Sequence, residues 1–251
     1  MNQDTIIRVE HLTAGYGDKP ILKDISFDVK RGEVFTIIGG SGCGKSTLLK
    51  HMIGLHKPLS GRIYIDGQDI LAEEKGGRLR FLKKIGVMYQ RGALFGSMTL
   101  LENVRLPLEE FTGLPLAAMN LIAMMKIKLV GLHGFEAKKP SELSGGMQKR
   151  AAIARAMALD PEILFLDEPS SGLDPITSVE VDHLILNLAH TLNMTFVVVS
   201  HDLASIFTIS DRMILLDAGI NGIAATGRPH ELREKSENKT VRRFLNREIM
   251  Q

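Results

Sequence analysis

The chain is poor in cysteine, in aromatic residues and in net charge, and these scarcities exclude several classes of protein. A single cysteine among 251 residues rules out an internal disulfide and fits a reducing compartment. The formal net charge of +2 argues against a dedicated nucleic-acid-binding protein, and no basic stripe interleaved with aromatic residues is visible. We therefore expect no nucleic acid among the partners.

Long apolar runs are also missing. No segment approaches the roughly 18 uninterrupted apolar residues that are typical of a membrane-spanning helix. We therefore expect any membrane association to come through a partner. The first residues contain no basic segment followed by an apolar core, so we expect no signal peptide. The length suits one large α/β domain or two small ones.

A glycine-rich segment between two apolar segments is the strongest functional signal. It matches the phosphate-binding pattern G-x-x-x-x-G-K-[S/T]. Residues 34–38 predict a buried strand before it, and residues 45–53 predict a helix after it. The glycines would let N–H groups surround phosphate oxygens at a helix N-terminus, although a turn without a ligand is the alternative. The predicted phosphate-binding residues are Gly39, Gly40, Ser41, Gly42, Cys43, Gly44, Lys45, Ser46 and Thr47.

Two of these side chains have specific predicted roles, and a pair of acids lies farther along the chain. We expect Lys45 to reach the β- and γ-phosphates and Ser46 to bind Mg²⁺.

The apolar segment Ile163–Leu166 predicts a buried strand, which ends in Asp167 and Glu168. Asp167 is a candidate Mg²⁺ ligand, and Glu168 a candidate acceptor of a proton from the attacking water. The alternative is a pair of solvated acids in a turn.

Five further features, in their order and spacing, resemble the ATP-binding cassette (ABC) ATPases. Leu143–Met147 resembles the family's signature motif, whose last residue is usually glutamine, and residues 171–174 resemble its D-loop. Gln90 matches the glutamine of the Q-loop, His201 the switch histidine and Tyr16 the aromatic residue that stacks on adenine. By these motifs, which extend over residues 5–225, the chain is identified as a member of the ABC ATPases.

This resemblance implies an α/β fold of the P-loop NTPase type, with a RecA-like core, an antiparallel β subdomain and an inserted α-helical subdomain. The ABC ATPase domain is expected over residues 5–225, with the insertion at about residues 91–160 and a tail over 226–251. Helical periodicity between Met98 and Ala158 agrees with such an insertion. We expect the charged tail to be helical and to lie outside the core.

The resemblance also implies ATP hydrolysis between two copies of the chain. Each ATP would lie between the phosphate-binding loop of one chain and the signature motif of the other. The implied catalytic residues are Glu168, His201, Gln90 and Lys45. The implied Mg²⁺ ligands are Ser46, Gln90 and Asp167. The implied ATP-binding residues outside the phosphate loop are Tyr16, Ser144, Gly145, Gly146 and Asp174.

The segment after Gln90 and the methionine at position 147 resemble the ATPases of MCE-associated phospholipid (Mla-type) transporters. That resemblance implies integral-membrane permease subunits, an MCE-domain lipid-binding protein and a small accessory subunit as partners. It also implies a peripheral location on the cytoplasmic face of the inner membrane and a role in outer-membrane lipid asymmetry. Two alternatives stay open: an importer ATPase for a small solute, and a soluble ABC protein of DNA repair or translation.

Two local hypotheses concern individual side chains. Cys43 lies beside Lys45 at a helix N-terminus, so its thiol pKa could be lowered and the thiol reactive; an inert filler is the alternative. The helical segment is rich in apolar residues that would form a docking groove for a permease helix or fill the core of that segment. They are Leu94, Phe95, Met98, Leu100, Leu101, Met119, Met124 and Met125. We expect Phe95 and Met98 to belong to an exposed minority that contacts the permease.

Overall fold

The computed structural model describes residues 4–71, 77–90 and 92–247, and two β-sheets organise this part of the chain. The first sheet is antiparallel, with strand order β2-β1-β4-β5. Its members are β1 (Thr5–Tyr16), β2 (Lys19–Lys30), β4 (Ser60–Ile65) and β5 (Gln68–Asp69). The turn between the first two strands lies at Gly17 and Asp18.

The second sheet has the order β10-β9-β3-β8-β7-β6 and contains the strands expected on either side of the functional motifs. These strands are β3 (Val34–Gly39), β6 (Ile85–Met88), β7 (Ile163–Asp167), β8 (Thr195–Val199), β9 (Arg212–Asp217) and β10 (Gly222–Gly227). The pairs from β9 to β6 are parallel, and β10 is antiparallel to β9. The parallel strands therefore have their carboxyl ends at one edge.

Helices cover both faces of the second sheet. They are α1 (Lys45–Met52), α2 (Gly77–Lys84), α3 (Leu100–Phe111), α4 (Leu116–Leu129), α5 (Gly145–Ala156), α6 (Pro175–Leu192), α7 (Leu203–Ile209), α8 (Pro229–Lys235) and α9 (Lys239–Asn246). Helices α3, α4 and α5 lie between β6 and β7 in the chain, which confirms the helical periodicity predicted there. Among the residues that the structure describes, no helix has the length and apolar character needed to cross a bilayer.

Alternate residues of the central strands belong to two separate apolar clusters. Ile163 and Phe165 pack with α1 and the first sheet, whereas Leu164 and Leu166 pack with α5 and α6. Because both faces are covered, the strands are apolar at consecutive positions rather than at every second one. The loops at the carboxyl edge therefore follow strands that are buried on both faces.

The expectation that the tail lies outside the core is wrong. Val241 and Leu245 of α9 are buried in a cluster with Ile38, Leu203 and Leu215. The two residues are four positions apart, so they share one face of the helix, and the basic residues occupy the others. The tail is helical as predicted, but its overall charge concealed the apolar spacing.

We expect Leu245→Ala to lower the free energy of unfolding by about 2–4 kcal/mol, because it leaves a cavity in this cluster. Urea denaturation of the full-length chain measures the change. Arg242→Ala on the exposed face of α9 is the matched control and should change stability by less than about 0.5 kcal/mol. Equal effects of the two substitutions would contradict the burial of α9.

Candidate functional site

The carboxyl edge of the parallel sheet brings the phosphate loop, the acid pair and His201 together. The loop follows β3, the acids follow β7, and His201 follows β8, which lies between those two strands. Val199 of β8 is in register with Ile37 of β3 and with Asp167 of β7. Segments that are more than a hundred residues apart in sequence therefore meet at this edge.

The phosphate loop is built around its lysine. Lys45 Nζ donates hydrogen bonds to the carbonyl oxygens of Gly39, at 2.8 Å, and Gly40, at 2.9 Å. Gly44 has a φ of 101° at the N-cap of α1, a conformation that side chains other than glycine rarely adopt. The N–H groups of the first turn of α1 stay available for an anion.

The hypothesis of a reactive Cys43 is wrong. Its side chain is 2% exposed, and burial raises the pKa of the thiol, with Lys45 opposing the shift only partly. A Cβ at Gly39 would lie 2.6 Å from its sulfur atom, so the thiol fills the space under the loop. Cys43 is the inert filler of the alternative interpretation.

We expect iodoacetamide to alkylate Cys43 at least ~10-fold more slowly in the folded protein than in urea, because a buried thiol with a raised pKa forms little thiolate. Mass spectrometry of the intact chain over time measures the rate. Glutathione under the same conditions is the control for an accessible thiol. Alkylation of folded protein as fast as that of glutathione would restore the reactive interpretation.

The acid pair contains an unsatisfied acceptor. In the described part of the chain, the buried Oδ1 atom of Asp167 has no hydrogen-bond partner. Burial raises the pKa of Asp167, repulsion from Glu168 adds to this shift, and Lys50, Lys149 and Lys45 oppose it. A cation would remove both penalties, since it favours the ionised form and supplies the missing partner.

The residues at this edge fit Mg²⁺ better than a metal that needs an all-protein cage. No group of three His, Cys, Asp or Glu side chains within the described ranges could hold a metal ion. Mg²⁺ is commonly held by one or two carboxylates with water and phosphate oxygens. Asp167, the hydroxyl of Ser46 and the amide of Gln90 are of the required type, and Ser46 and Gln90 are exposed at this edge.

Glu168 and His201 form a direct pair. His201 Nδ1 lies 2.7 Å and 2.8 Å from the carboxylate oxygens of Glu168. Glu168 is 8% exposed and has a φ of 52°, whereas the imidazole is largely exposed. The pair lines a cavity of about 480 Å³ together with the D-loop residues Ser171 and Gly172. A buried carboxylate oriented by an exposed histidine suits proton transfer from a water in that cavity.

Tyr16 lies beside α1 with a partly exposed ring. Its hydroxyl is 3.5 Å from Thr47 Oγ1 and 3.3 Å from Lys50 Nζ. The Thr47 hydrogen bond lowers the pKa of Tyr16, burial opposes this effect, and Lys50 lowers the pKa further. The rings of Tyr16 and His56 form a T-shaped pair with 5.4 Å between their centroids. The exposed ring face is suited to stacking on an aromatic base.

The sequence analysis missed His51, which binds the backbone of Gly15, the residue before Tyr16. His51 is fully buried in α1, and burial lowers its pKa. In the neutral tautomer that fits its partners, Nδ1 donates to the His56 carbonyl at 2.9 Å, and Nε2 accepts from the Gly15 N–H at 3.2 Å. The apolar spacing of α1, which places residue 51 on the buried face with Leu48, was the available signal.

The signature motif lies at the N-terminus of α5. Ser144 caps α5, since its Oγ accepts a hydrogen bond from the Met147 N–H at 3.3 Å. A Cβ at Gly146 would lie 2.2 Å from Thr177 Cγ2, so a side chain there would force Thr177 to move. Asp174 caps α6 by accepting from the Thr177 N–H at 3.1 Å. Within the described residues, no hydrogen bond joins Ser144 to the phosphate loop.

Comparisons with known proteins agree with this geometry. The sequence model of the ABC transporter family matches residues 22–171. The chain is 40% identical over 246 residues to the "probable ribonucleotide transport ATP-binding protein mkl" of Mycobacterium leprae, covering 98% of this chain and 70% of that protein. It is also 40% identical to the "intermembrane phospholipid transport system ATP-binding protein MlaF" of Haemophilus influenzae, covering 99% of this chain and 92% of the relative.

A solved structure shares the fold. It is a dimeric ATP-binding cassette in a post-hydrolysis state bound to ADP and Pi, with a TM-score of 0.79 and 32% identity. The similarity covers 89% of this chain and 98% of that one. The family match extends over more than half of the sequence and includes the phosphate loop, the signature motif and the acid pair. This chain belongs to the ABC transporter family and is an ATP-hydrolysing cassette.

Proposed function

We propose that the chain powers a phospholipid transporter by hydrolysing ATP between two of its copies. The observation that carries the catalytic part is the Glu168–His201 pair at the sheet edge that also holds the phosphate loop. Glu168 accepts the proton of the attacking water. His201 orients Glu168 by donating from Nδ1 and, as the protonated imidazolium, also donates a hydrogen bond from Nε2 to the γ-phosphate. Lys45 neutralises charge on the β- and γ-phosphates.

The remaining site residues bind and orient the substrate. Tyr16 stacks on the adenine, and the N–H groups of residues 39–47 hold the phosphates. Asp167, Ser46 and Gln90 hold Mg²⁺, which supplies positive charge to the phosphate oxygens when it is bound. The unpartnered Oδ1 atom of Asp167 supports this assignment.

A second copy of the chain completes each site. Ser144, Gly145 and Gly146 lie at the N-terminus of a helix of 12 residues, where N–H groups suit an anion. Ser144 is exposed at this N-terminus, and its proposed ligand is the ATP bound by a partner copy. The dimeric state of the solved cassette supports this arrangement. Met147 is half-buried and packs against the core. Its side chain therefore leaves the neighbouring Ser144, Gly145 and Gly146 free to bind phosphate.

Phospholipid is the proposed cargo because the chain resembles a phospholipid transport ATPase over nearly the full length of both proteins. The segment that follows Gln90 resembles Mla-type ATPases as well. The proposed partners are permease subunits, an MCE-domain lipid-binding protein and a small accessory subunit. The chain would sit peripherally on the cytoplasmic face of the inner membrane. The second candidate is import of a small solute such as an amino acid or a metal ion. It is supported by 39% identity to the "methionine import ATP-binding protein MetN 2" of Enterococcus faecalis, which covers 97% of this chain and 71% of that protein.

The surface near Phe95 is the proposed permease contact. Phe95 is 50% exposed, whereas Met98 is half-buried and Leu100 lies in the core. The apolar residues of this region therefore divide between docking and packing. Phe95→Asp should abolish co-purification of the permease while leaving the fold intact, and an unchanged association would remove Phe95 from the contact.

Native mass spectrometry of the complex that co-purifies with the tagged full-length chain tests the cargo. Two copies of the chain with a permease pair, an MCE-domain protein and bound phospholipid are expected. A permease with a soluble binding protein and no lipid would favour the small-solute importer. A particle without any permease would contradict a transport role.

A further inference from the structure

Lys149 is a buried lysine that ties together two loops of the site. It lies in α5, five residues after Ser144, and is 8% exposed. Its ammonium donates hydrogen bonds to the main-chain carbonyl oxygens of Gln90 and of Glu168, the latter at 3.1 Å. One side chain thus connects the signature helix to the loop that follows β6 and to the loop that follows β7.

Burial of this charge is costly, which argues against a role in packing alone. An ammonium that leaves water loses several kcal/mol of hydration unless hydrogen bonds and nearby charges compensate for it. Burial lowers the pKa of Lys149, and the carboxylates of Glu168 and Asp167 oppose that shift. A methionine of similar length would fill the same space without this cost, but it would leave the two carbonyl groups without their donor.

The Glu168 carbonyl needs to be held because its residue is in an unusual conformation. Glu168 has a φ of 52°, in the left-handed region that few residues other than glycine adopt. Its N–H donates to the Val199 carbonyl at 2.9 Å, and its carbonyl also accepts from the Ser171 N–H at 3.2 Å. Lys149 adds a charged donor to this carbonyl. By holding the main chain of Glu168, it helps to orient the Glu168 carboxylate, which is the proposed proton acceptor.

Helix α5 connects this fixed point to the signature motif. The rise of an α-helix places Lys149 about 7–8 Å along the axis from Ser144, on the same rigid element. A small movement of α5 when Ser144 engages a phosphate would therefore pull on both carbonyls. A shift of about 1 Å at a catalytic group is enough to change a rate substantially.

We propose that Lys149 is a positioning residue that couples binding of the partner's ATP at Ser144–Gly146 to the placement of Gln90 and Glu168 within the same chain. This inference rests on the proposed ATP-sandwich dimer. Lys149 acts through two main-chain carbonyls and does not touch the substrate. Each site then becomes competent only when the signature motif of its own chain holds the other nucleotide.

Steady-state ATP hydrolysis by the full-length chain tests the coupling. Substitutions of Lys149 should affect kcat, KM and the Hill coefficient to different extents. Lys149→Met should lower kcat between ~10- and ~100-fold, because the proton acceptor is misplaced. The KM for ATP should change less than about 3-fold, because the phosphate loop is untouched. The Hill coefficient should fall from near 2 to about 1 as the two sites become independent. Lys149→Arg, whose guanidinium also donates to two carbonyls, should keep kcat within about 3-fold.

A double-mutant cycle separates coupling from a structural role. Ser144→Ala should cost at least ~3-fold less in kcat in the Lys149→Met background than in the wild type, because the signature motif no longer reaches Glu168. Thermal unfolding of each variant checks the fold, and Lys149→Gln repeats the cycle if Lys149→Met does not fold.

The role of Lys149 would be overturned if the kcat losses of Ser144→Ala and Lys149→Met multiplied in the double variant and the Hill coefficient stayed unchanged. A Lys149→Met kcat within twofold of wild type would overturn it as well. The proposed dimer fails on a different result, namely wild-type hydrolysis that is non-cooperative with no ATP-dependent dimer in light scattering. The two failures are therefore distinguishable in one set of measurements.

Discussion

Glu168→Gln should bind ATP normally and hydrolyse it ~10²- to 10⁴-fold more slowly, because the amide cannot accept a proton from water. The amide oxygen can still accept a hydrogen bond from His201 Nδ1, which is 2.7 Å from the carboxylate in the wild type. The size of the side chain is nearly unchanged, so the buried site should keep its geometry. ATP should therefore hold two copies together without being consumed.

Single-turnover hydrolysis and light scattering with ATP and Mg²⁺ measure these two effects. Glu234→Gln is the matched control, since Glu234 is an exposed acid of α8 and the same chemical change there should leave turnover intact. A Glu168→Gln turnover within twofold of wild type would remove this residue from the role of proton acceptor. Loss of ATP binding in the variant would assign Glu168 to the substrate pocket instead.

Lys45→Met should weaken ATP binding ~10²-fold. Hydrogen bonds that involve a charged group contribute about 1.5–3 kcal/mol each, and a loss of about 3 kcal/mol corresponds to roughly two orders of magnitude in Kd. In the structure the ammonium is already held within the loop by the Gly39 and Gly40 carbonyls, so little reorganisation is needed when phosphate arrives. Methionine keeps the length of the side chain and removes the charge.

Equilibrium binding of a fluorescent ATP analogue measures the affinity. Lys128→Met is the control, because Lys128 is exposed on α4, in the helical segment between β6 and β7. A Kd within threefold of wild type for Lys45→Met would show that the loop binds no triphosphate in the proposed way. Together the two substitutions separate binding from chemistry, since only Lys45→Met should lose both.

The phosphate loop and the acid pair were accessible from the sequence because their chemistry is local. A glycine-rich turn between a strand and a helix requires residues that are consecutive in the chain. The same holds for Asp167 and Glu168, which end a strand whose apolar character is continuous. The helical periods of α3 to α5 were likewise visible, since apolar residues there recur about every 3.6 positions.

Two predictions were wrong because the burial of a segment was inferred from its charge, and the pKa of a thiol from a neighbouring residue in the sequence. The tail was expected outside the core because it is charged, but two apolar residues at a spacing of four bury one face of α9. Cys43 was given a possible lowered pKa because Lys45 is near in sequence. Its sulfur atom is buried under the loop, and the loss of hydration outweighs the attraction of the ammonium.

From the order of its residues alone, this chain is recognisable as a nucleotide-binding α/β protein with a phosphate loop, an acid pair and a signature motif. Long-range pairing was not visible there. His201 meets Glu168 because β8 lies beside β7, His51 reaches Gly15 across 36 positions, and Lys149 joins two loops that come from different strands. Such contacts depend on which strands become neighbours and on which side chains lose their water, and both are properties of the packed sheet rather than of any local segment.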